Sequence, residues 1–437
     1  MLKITPQKKE YYDCQMSANY VEFIECNEAQ AEDTAQDISD CDTQVIEAVI
    51  VGPNLICDTD GIVISSRWKQ QEITLRLNEE ACNEINKCIN DLFRYFKGFV
   101  SFDLLQRSVY NWIYMAYSKE TEDSLCTYIE NEIAIHTSSY LFLFPLPYIL
   151  LHDSIRIGNV CLGHEISDER IKKLLSEIGD DVVVPMTTAS ITLEGEMESA
   201  KEKARELVQF AIDILKVCSS LKYREESYIY NFEFENNQKA GNECVCFVYD
   251  SQKETLHKEI KTNYLPFCID EREKAIFDTN AAFSSMSHFL TDYYITLNHK
   301  HTELDKIIMR SIRQFSITLS TKNQYERIVK LCSILDAAIL KDNEAGIKES
   351  LKKYIPILVS EDLTMRETVK QTLELMYSVR SDYIHHGKEV KVEFQEIIDL
   401  NIIVLSTIIR FLQLRSTYES PKMIIKAIDK LQLSVHM

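Results

Sequence analysis

Glycine and proline are scarce in this chain, 10 and 8 of 437 residues, and no GxGxxG or GxxxxGK[ST] run occurs. A loop that cradles nucleotide phosphates needs glycine where the backbone closes on the oxygens, so such a loop is not supported. Paired cysteines are missing too. The 13 cysteines are scattered singly from Cys14 to Cys332, and Cys244 and Cys246 alternate as strand residues do rather than bracketing a metal. No metal and no cofactor is expected on this spacing. An odd, scattered set of thiols fits a reducing cytoplasm. Long uninterrupted apolar runs are also lacking. Tyr140 to Leu151 is short and carries two prolines, while Ile397 to Leu414 contains Asp399, Asn401 and Arg410 and reads as a buried helix. No membrane span is expected. Positive charge is absent over one stretch: Glu10 to Ser66 holds 13 Asp and Glu and no Lys or Arg.

What is present suits a globular chain. Hydrophobic residues make up 45% of it, and its length allows two or three domains with sizeable cores. The formal net charge of −20 argues against phosphate binding until its distribution is considered. Residues 301–437 hold 20 Lys and Arg against 18 Asp and Glu, whereas residues 1–300 hold 28 against 50. The acidity belongs to the N-terminal part. It is read either as a solvated face or as a surface that repels RNA or docks a basic partner.

The pattern along the chain predicts an α+β fold, with a mixed β-rich and helical N-terminal region followed by an all-α C-terminal bundle. Residues 1–44 form an acidic segment expected to be partly flexible. Residues 45–270 form an α+β region with a sensing or regulatory role, and 271–437 are helical. Strand signals cover Val45 to Val51, Leu55 to Ile64 and Glu72 to Leu77, with turns at Gly52-Pro53 and Asp60-Gly61. Helices are predicted over Glu79 to Tyr95, Ser101 to Ser118 and Glu196 to Val217, the last from Ala204, Leu207, Phe210, Ala211, Ile214 and Leu215 at helical spacing. Tyr140 to Leu162 and Asp181 to Leu193 read as extended, and Tyr228 to Phe234 with Cys244 to Tyr249 as a hairpin pair. Beyond Asp270 the pattern turns helical: Glu271 to Tyr294, Glu303 to Leu319, Gln324 to Leu340, Ile347 to Tyr354, Thr364 to His386 and Glu393 to Leu414.

One of these helices carries chemistry. Tyr377-Ser378-Val379-Arg380-Ser381-Asp382-Tyr383-Ile384-His385-His386-Gly387 puts a permanent cation and two titratable imidazoles just before a glycine stop. A metal-free ribonuclease needs a cation for the phosphate and a proton shuttle near neutral pH, and this run supplies both. Arg-x4-6-His is weak alone, since chance predicts about one match in such a chain. Arg and His at a helix C-terminus also complement the macrodipole, so that plainer reading stands beside the catalytic one.

The run Tyr377-x-x-Arg380-Ser381-x-x-x-His385-His386-Gly387 resembles the signature of the HEPN superfamily, in particular the ApeA-like HEPN proteins of bacterial anti-phage defence. The upstream helix from Arg327 to Leu340 is similar to that family's bundle, with Asp336 where the family usually has Glu. The resemblance covers about 302–414. It implies a metal-independent endoribonuclease, cytoplasmic and homodimeric through the bundle, with the Arg and His of two protomers facing one RNA groove. By this resemblance Arg380 holds the scissile phosphate, and His385 shuttles the proton of the attacking 2′-hydroxyl or the leaving 5′-oxygen. His386 also satisfies the permitted spacing, so both imidazoles stand as candidates. Ser381 departs from the Asn, Asp or His often found after the Arg, though it fits the ApeA-like variety. The substrate implied is a tRNA or another cellular or phage RNA, with a phage-derived or protein activator at the N-terminal region.

Supporting roles fall to Ser381 and Asp382 and to four further residues. Tyr377 and Tyr383 can stack a base or pack the bundle; Lys388 and Lys391 can contact phosphate or merely solvate a helix end. At about 100° per residue, Arg380 lies about 140° from His385 and about 120° from His386. Either the last turn unwinds before Gly387, or the two roles meet across a two-fold axis. Asp58 and Asp60, with Gly61, read first as a turn, and His299 and His301 as solvent histidines. The rival reading is a catalytically silent HEPN-type binding module whose acidic N-terminal region docks a protein partner.

Overall fold

The computed structural model describes residues 24–26, 48–51, 54–57, 63–68, 71–76, 79–96, 99–117, 120–146, 149–163, 187–220, 243–250, 255–262, 267–295, 301–321, 323–339 and 346–435. The fold is α+β. It divides into two compact units, residues 1–141 with 192–204, and residues 142–191 with 205–437. The sequence pattern alone places its boundary at 270, where strand signals end.

In the first unit, β1 (Ile24–Cys26), β4 (Val63–Trp68) and β5 (Gln71–Arg76) form an antiparallel sheet in the order β1-β5-β4, and β2 (Ala48–Val51) pairs with β3 (Asn54–Cys57). Helices α1 (Glu79–Tyr95), α2 (Phe102–Tyr117) and α3 (Leu125–His136) follow. Ile85, Ile89, Leu92 and Phe96 recur at three- and four-residue spacing and pack with Leu105, Val109, Tyr110, Cys126 and Ile129. Helix α4 (Met197–Ser219) starts on a carboxylate: Glu196 accepts the backbone N–H groups of Glu198, Ser199 and Ser101. A negative side chain there satisfies amides that a helix N-terminus leaves unpaired.

A four-stranded sheet has the order β6 (Thr137–Pro145), β10 (Thr188–Glu196), β9 (Val160–Gly163), β8 (Ile155–Ile157). In the second unit, β7 (Ile149–Leu151) runs parallel to β13 (Phe267–Ile269). Cys244 to Tyr249 lies in β11 (Glu243–Asp250), which pairs antiparallel with β12 (Thr255–Thr262) among the described residues; Tyr228 to Phe234, the other half of the expected hairpin, lies outside them.

The helical part of this unit begins with α5 (Glu271–Thr279) and α6 (Ala281–Ile295), one predicted helix split at Asn280. The Asn280 side chain accepts the N–H groups of Ala282 and Phe283 and so starts a new helix. The bundle then runs through α7 (Glu303–Leu319), α8 (Gln324–Ile339), α9 (Ile347–Val359), α10 (Leu363–His386), α11 (Phe394–Leu414) and α12 (Pro421–Val435). Its core includes Ile312, Phe315, Leu331, Leu335, Ile355, Leu373, Met376, Leu400 and Val404. By length and composition α11 could cross a membrane, yet Ile397, Leu400, Ile403, Val404, Leu405, Ile408 and Phe411 are buried within this core.

Candidate functional site

Helix α10 is seated by Asp362, whose side chain accepts the N–H of Met365, and it buries Val369, Leu373, Met376, Tyr377 and Val379. On the facing helix α8, Cys332 and Asp336 lie one turn apart. The Tyr377 hydroxyl is shared between the Cys332 carbonyl, at 2.9 Å, and the Asp336 carboxylate. One turn further along α10, Arg380 Nη1 donates to the other oxygen of Asp336 at 2.8 Å, and the guanidinium carbon lies 5.4 Å from the Tyr377 ring centre. Asp336 thus holds both side chains at once. Its side chain is 15% exposed and that of Arg380 25%.

The electrostatics keep this arrangement in one state. Burial, then the neighbouring Cys332 and Asp336, push the Tyr377 phenol far up, so it stays a proton donor at any physiological pH. Burial pushes the Cys332 thiol up to about 12, which removes it as a nucleophile. On Arg380, Nε and Nη2 donate to no group among the described residues, so part of the fork is available to a phosphate.

The helix ends at Gly387, in the left-handed region with φ 60° and ψ 21°. Its N–H donates to the carbonyls of Tyr383 and Asp382, and the Lys388 N–H donates to Asp382. His385 and His386 occupy the last turn, both exposed, with ring centroids 6.4 Å apart. The helix stays regular through His386, so the unwinding that would turn an imidazole toward Arg380 within one chain does not occur.

The other residues named from sequence divide into buried and exposed groups. Tyr377 is buried, so it offers no face to a base; its place is beneath Arg380. Tyr383 is half-buried and stacked on Tyr325, with ring centres 5.2 Å apart. Ser381 and Lys388 are exposed and Asp382 is half-buried. Lys391 is exposed and paired with Glu393 at 2.7 Å, a contact that raises the lysine and lowers the carboxylate. His301 is not a free solvent histidine, because it stacks on Tyr293 at 3.9 Å. His299, Asp58 and Asp60 lie outside the described residues. Among the described residues no group of three or more His, Cys, Asp and Glu is placed to hold a metal.

Two contributors escaped the sequence reading, Tyr325 and the Cys332 carbonyl. The one signal for Tyr325 is its place two residues after Asn323 at a helix start; a backbone carbonyl gives none. No protein-family model, curated protein or solved structure matches the chain. The case for a function therefore rests on this geometry and on the motif.

Proposed function

We propose that the chain is a metal-independent endoribonuclease of the HEPN kind, ApeA-like and acting in anti-phage defence. One observation carries the reading: a guanidinium braced by Asp336 and Tyr377, yet a quarter exposed, stands on the helix that ends in two exposed imidazoles. In this reading the remaining donors of Arg380 hold the scissile phosphate and stabilise charge as the 2′-hydroxyl attacks phosphorus. An imidazole, His385 first and His386 second, takes the 2′-hydroxyl proton or gives one to the leaving 5′-oxygen. The products are a 2′,3′-cyclic phosphate and a 5′-hydroxyl. Because Arg380 and the imidazoles diverge on one regular helix, a two-fold dimer through the bundle brings the roles together across protomers. Lys388 and Lys391 add phosphate contacts beside the helix end.

A second reading has its own support. Asp336 already neutralises Arg380, as it would in a purely structural brace, and a silent HEPN-type module that docks a partner would keep that brace without cutting RNA. Cleavage of total RNA in EDTA separates the two, using wild type, Arg380→Ala, His385→Ala and His386→Ala, with phage-infected lysate as activator. The nuclease reading expects chelator-resistant cutting with cyclic phosphate ends, lost by about a hundredfold or more in Arg380→Ala and in one histidine variant. Cutting that survives both Arg380→Ala and the paired histidine substitution would sink it.

A further inference from the structure

Helix α8 begins at a fixed place. The Asn323 side chain accepts the N–H groups of Tyr325 at 2.8 Å and Glu326 at 3.1 Å, which sets Tyr325 in the first turn. From there Tyr325 makes two contacts on opposite sides of one glycine. Its ring stacks on Tyr383, four residues before Gly387, with 18° between planes. Its hydroxyl donates at 3.1 Å to the carbonyl of Val390, three residues after Gly387. Tyr325 is only 7% exposed, and Val392 is buried beyond it.

The turn between these contacts needs holding. A left-handed glycine joins α10 to the connection 387–393, and nothing lies within 4 Å of where a Gly387 Cβ would stand. His385 and His386 sit between the two contacts, and among the described residues neither imidazole has a hydrogen-bond partner. Their position is therefore set through the backbone.

We infer that Tyr325 is a positioning residue for the candidate ribonuclease: it clamps both sides of the Gly387 turn and thereby fixes where the two imidazoles stand. The catalytic consequence rests on the ribonuclease reading, whereas the clamp itself does not. A misplacement of about 1 Å at a reacting group costs on the order of a hundredfold in rate, so a clamp remote from the phosphate can still govern turnover.

The test uses Tyr325→Phe, which keeps the stack and drops the Val390 bond, and Tyr325→Leu, which drops both. Tyr383→Leu removes the stack from the other side and serves should Tyr325→Leu fail to fold. Circular dichroism checks folding, and the imidazole ring resonances of His385 and His386 are compared by NMR at one fixed pH. We expect kcat to fall a few-fold in Tyr325→Phe and about tenfold to a hundredfold in the leucine variants, with KM little changed. The ring resonances of both imidazoles should move from their wild-type positions in the leucine variants, as the surroundings set by the turn change. Unchanged imidazole signals in a folded leucine variant overturn the clamp, and changed signals with wild-type kcat overturn its catalytic consequence. If the wild type cuts no RNA at all, the ribonuclease reading fails, and the imidazole signals alone decide whether Tyr325 holds the turn.

Discussion

The second compact unit contains two polar knots, and they differ in what they leave open. In the first, between α4 and α7, Ser316 Oγ donates to Asp213 Oδ1 at 2.6 Å, Gln209 reaches the same oxygen at 3.2 Å, and Lys216 Nζ donates to Ser320 Oγ at 3.3 Å. Asp213 is 4% exposed and Lys216 1%. Burial pushes the Asp213 carboxyl up to about 6, against the pull of Ser316, Lys216, Gln209 and Arg313. In the second, between α8 and α10, the carboxylate of Asp336 meets a guanidinium directly, and the cation keeps an edge toward solvent. Both knots are built from ordinary helix residues. The first has no face for a ligand; the second presents donors to one. Exposure, rather than composition, separates a knot that orders a core from one suited to chemistry.

Removing Asp336 should produce the largest effect. Asp336→Ala leaves the Arg380 charge and the Tyr377 hydroxyl without their shared acceptor, and should lower the unfolding free energy by about 3 kcal/mol, from losing a half-buried ion pair and one acceptor of a buried hydroxyl together. Asp336→Asn keeps an acceptor for Tyr377 and should lose less stability, yet if the proposed ribonuclease reading holds, cleavage should fall in both because Arg380 is no longer aimed. Urea unfolding beside RNA cleavage checks this. An Asp336→Ala protein as stable as wild type would mean the pair is worth no more than a surface ion pair, and the contrast between the knots would collapse.

The closed knot is probed through pH. The Asp213 carboxyl is raised in the folded state from 3.8 to about 6, so between those values the folded chain binds a proton that the unfolded chain releases. Its contribution is then most favourable below about pH 4 and is lost as pH rises through 6. A carboxyl held that far above its ordinary value changes stability by about 3 kcal/mol at most across this window. Asp213→Asn should flatten this dependence and stabilise the protein at pH 8 by about 2 kcal/mol. The gain is smaller than the limit because the amide must place its own NH2 among Lys216 and Arg313, which accept nothing. Unfolding curves at pH 5 and pH 8 decide it. Equal pH dependence in wild type and variant would show that Asp213 is not the sealed, titrating acid.

Much of the scaffold was legible in the sequence because local signals and tertiary packing agree there. Glu79 to Tyr95 and Glu303 to Leu319 show regular apolar spacing, and the structure ends both helices where the pattern does. Strand β12 was not legible: Thr-Leu-His-Lys-Glu-Ile-Lys-Thr is mostly polar, and its place comes from pairing with β11. Helix α9 runs past Tyr354 because Pro356 sits near its end, where the missing amide costs one bond and the chain still closes its last turn. At the site, Arg380, His385 and His386 announce themselves by type and by the glycine after them. Tyr325 does not, because its contacts lie 58 and 65 residues away and no local periodicity encodes them. Asp213 and Lys216 were hidden differently: they interrupt an apolar helix with charges that single-sequence reading assigns to solvent.

The smallest effect on stability belongs to Gly387, and it sharpens the comparison most. A Cβ at this position meets nothing within 4 Å, so Gly387→Ala costs only the left-handed backbone, with φ 60°, or about 1 kcal/mol. Asn tolerates that region better, so Gly387→Asn should cost less. Neither change touches Asp213, Asp336 or Arg380. Thermal melting should therefore show a small loss for alanine and less for asparagine, while kcat for RNA cleavage should drop more in alanine than that loss implies. A turn that merely stops a helix would lose stability and activity in proportion. A turn that aims two imidazoles would separate them, since the open knot depends on geometry that the closed one never exposes.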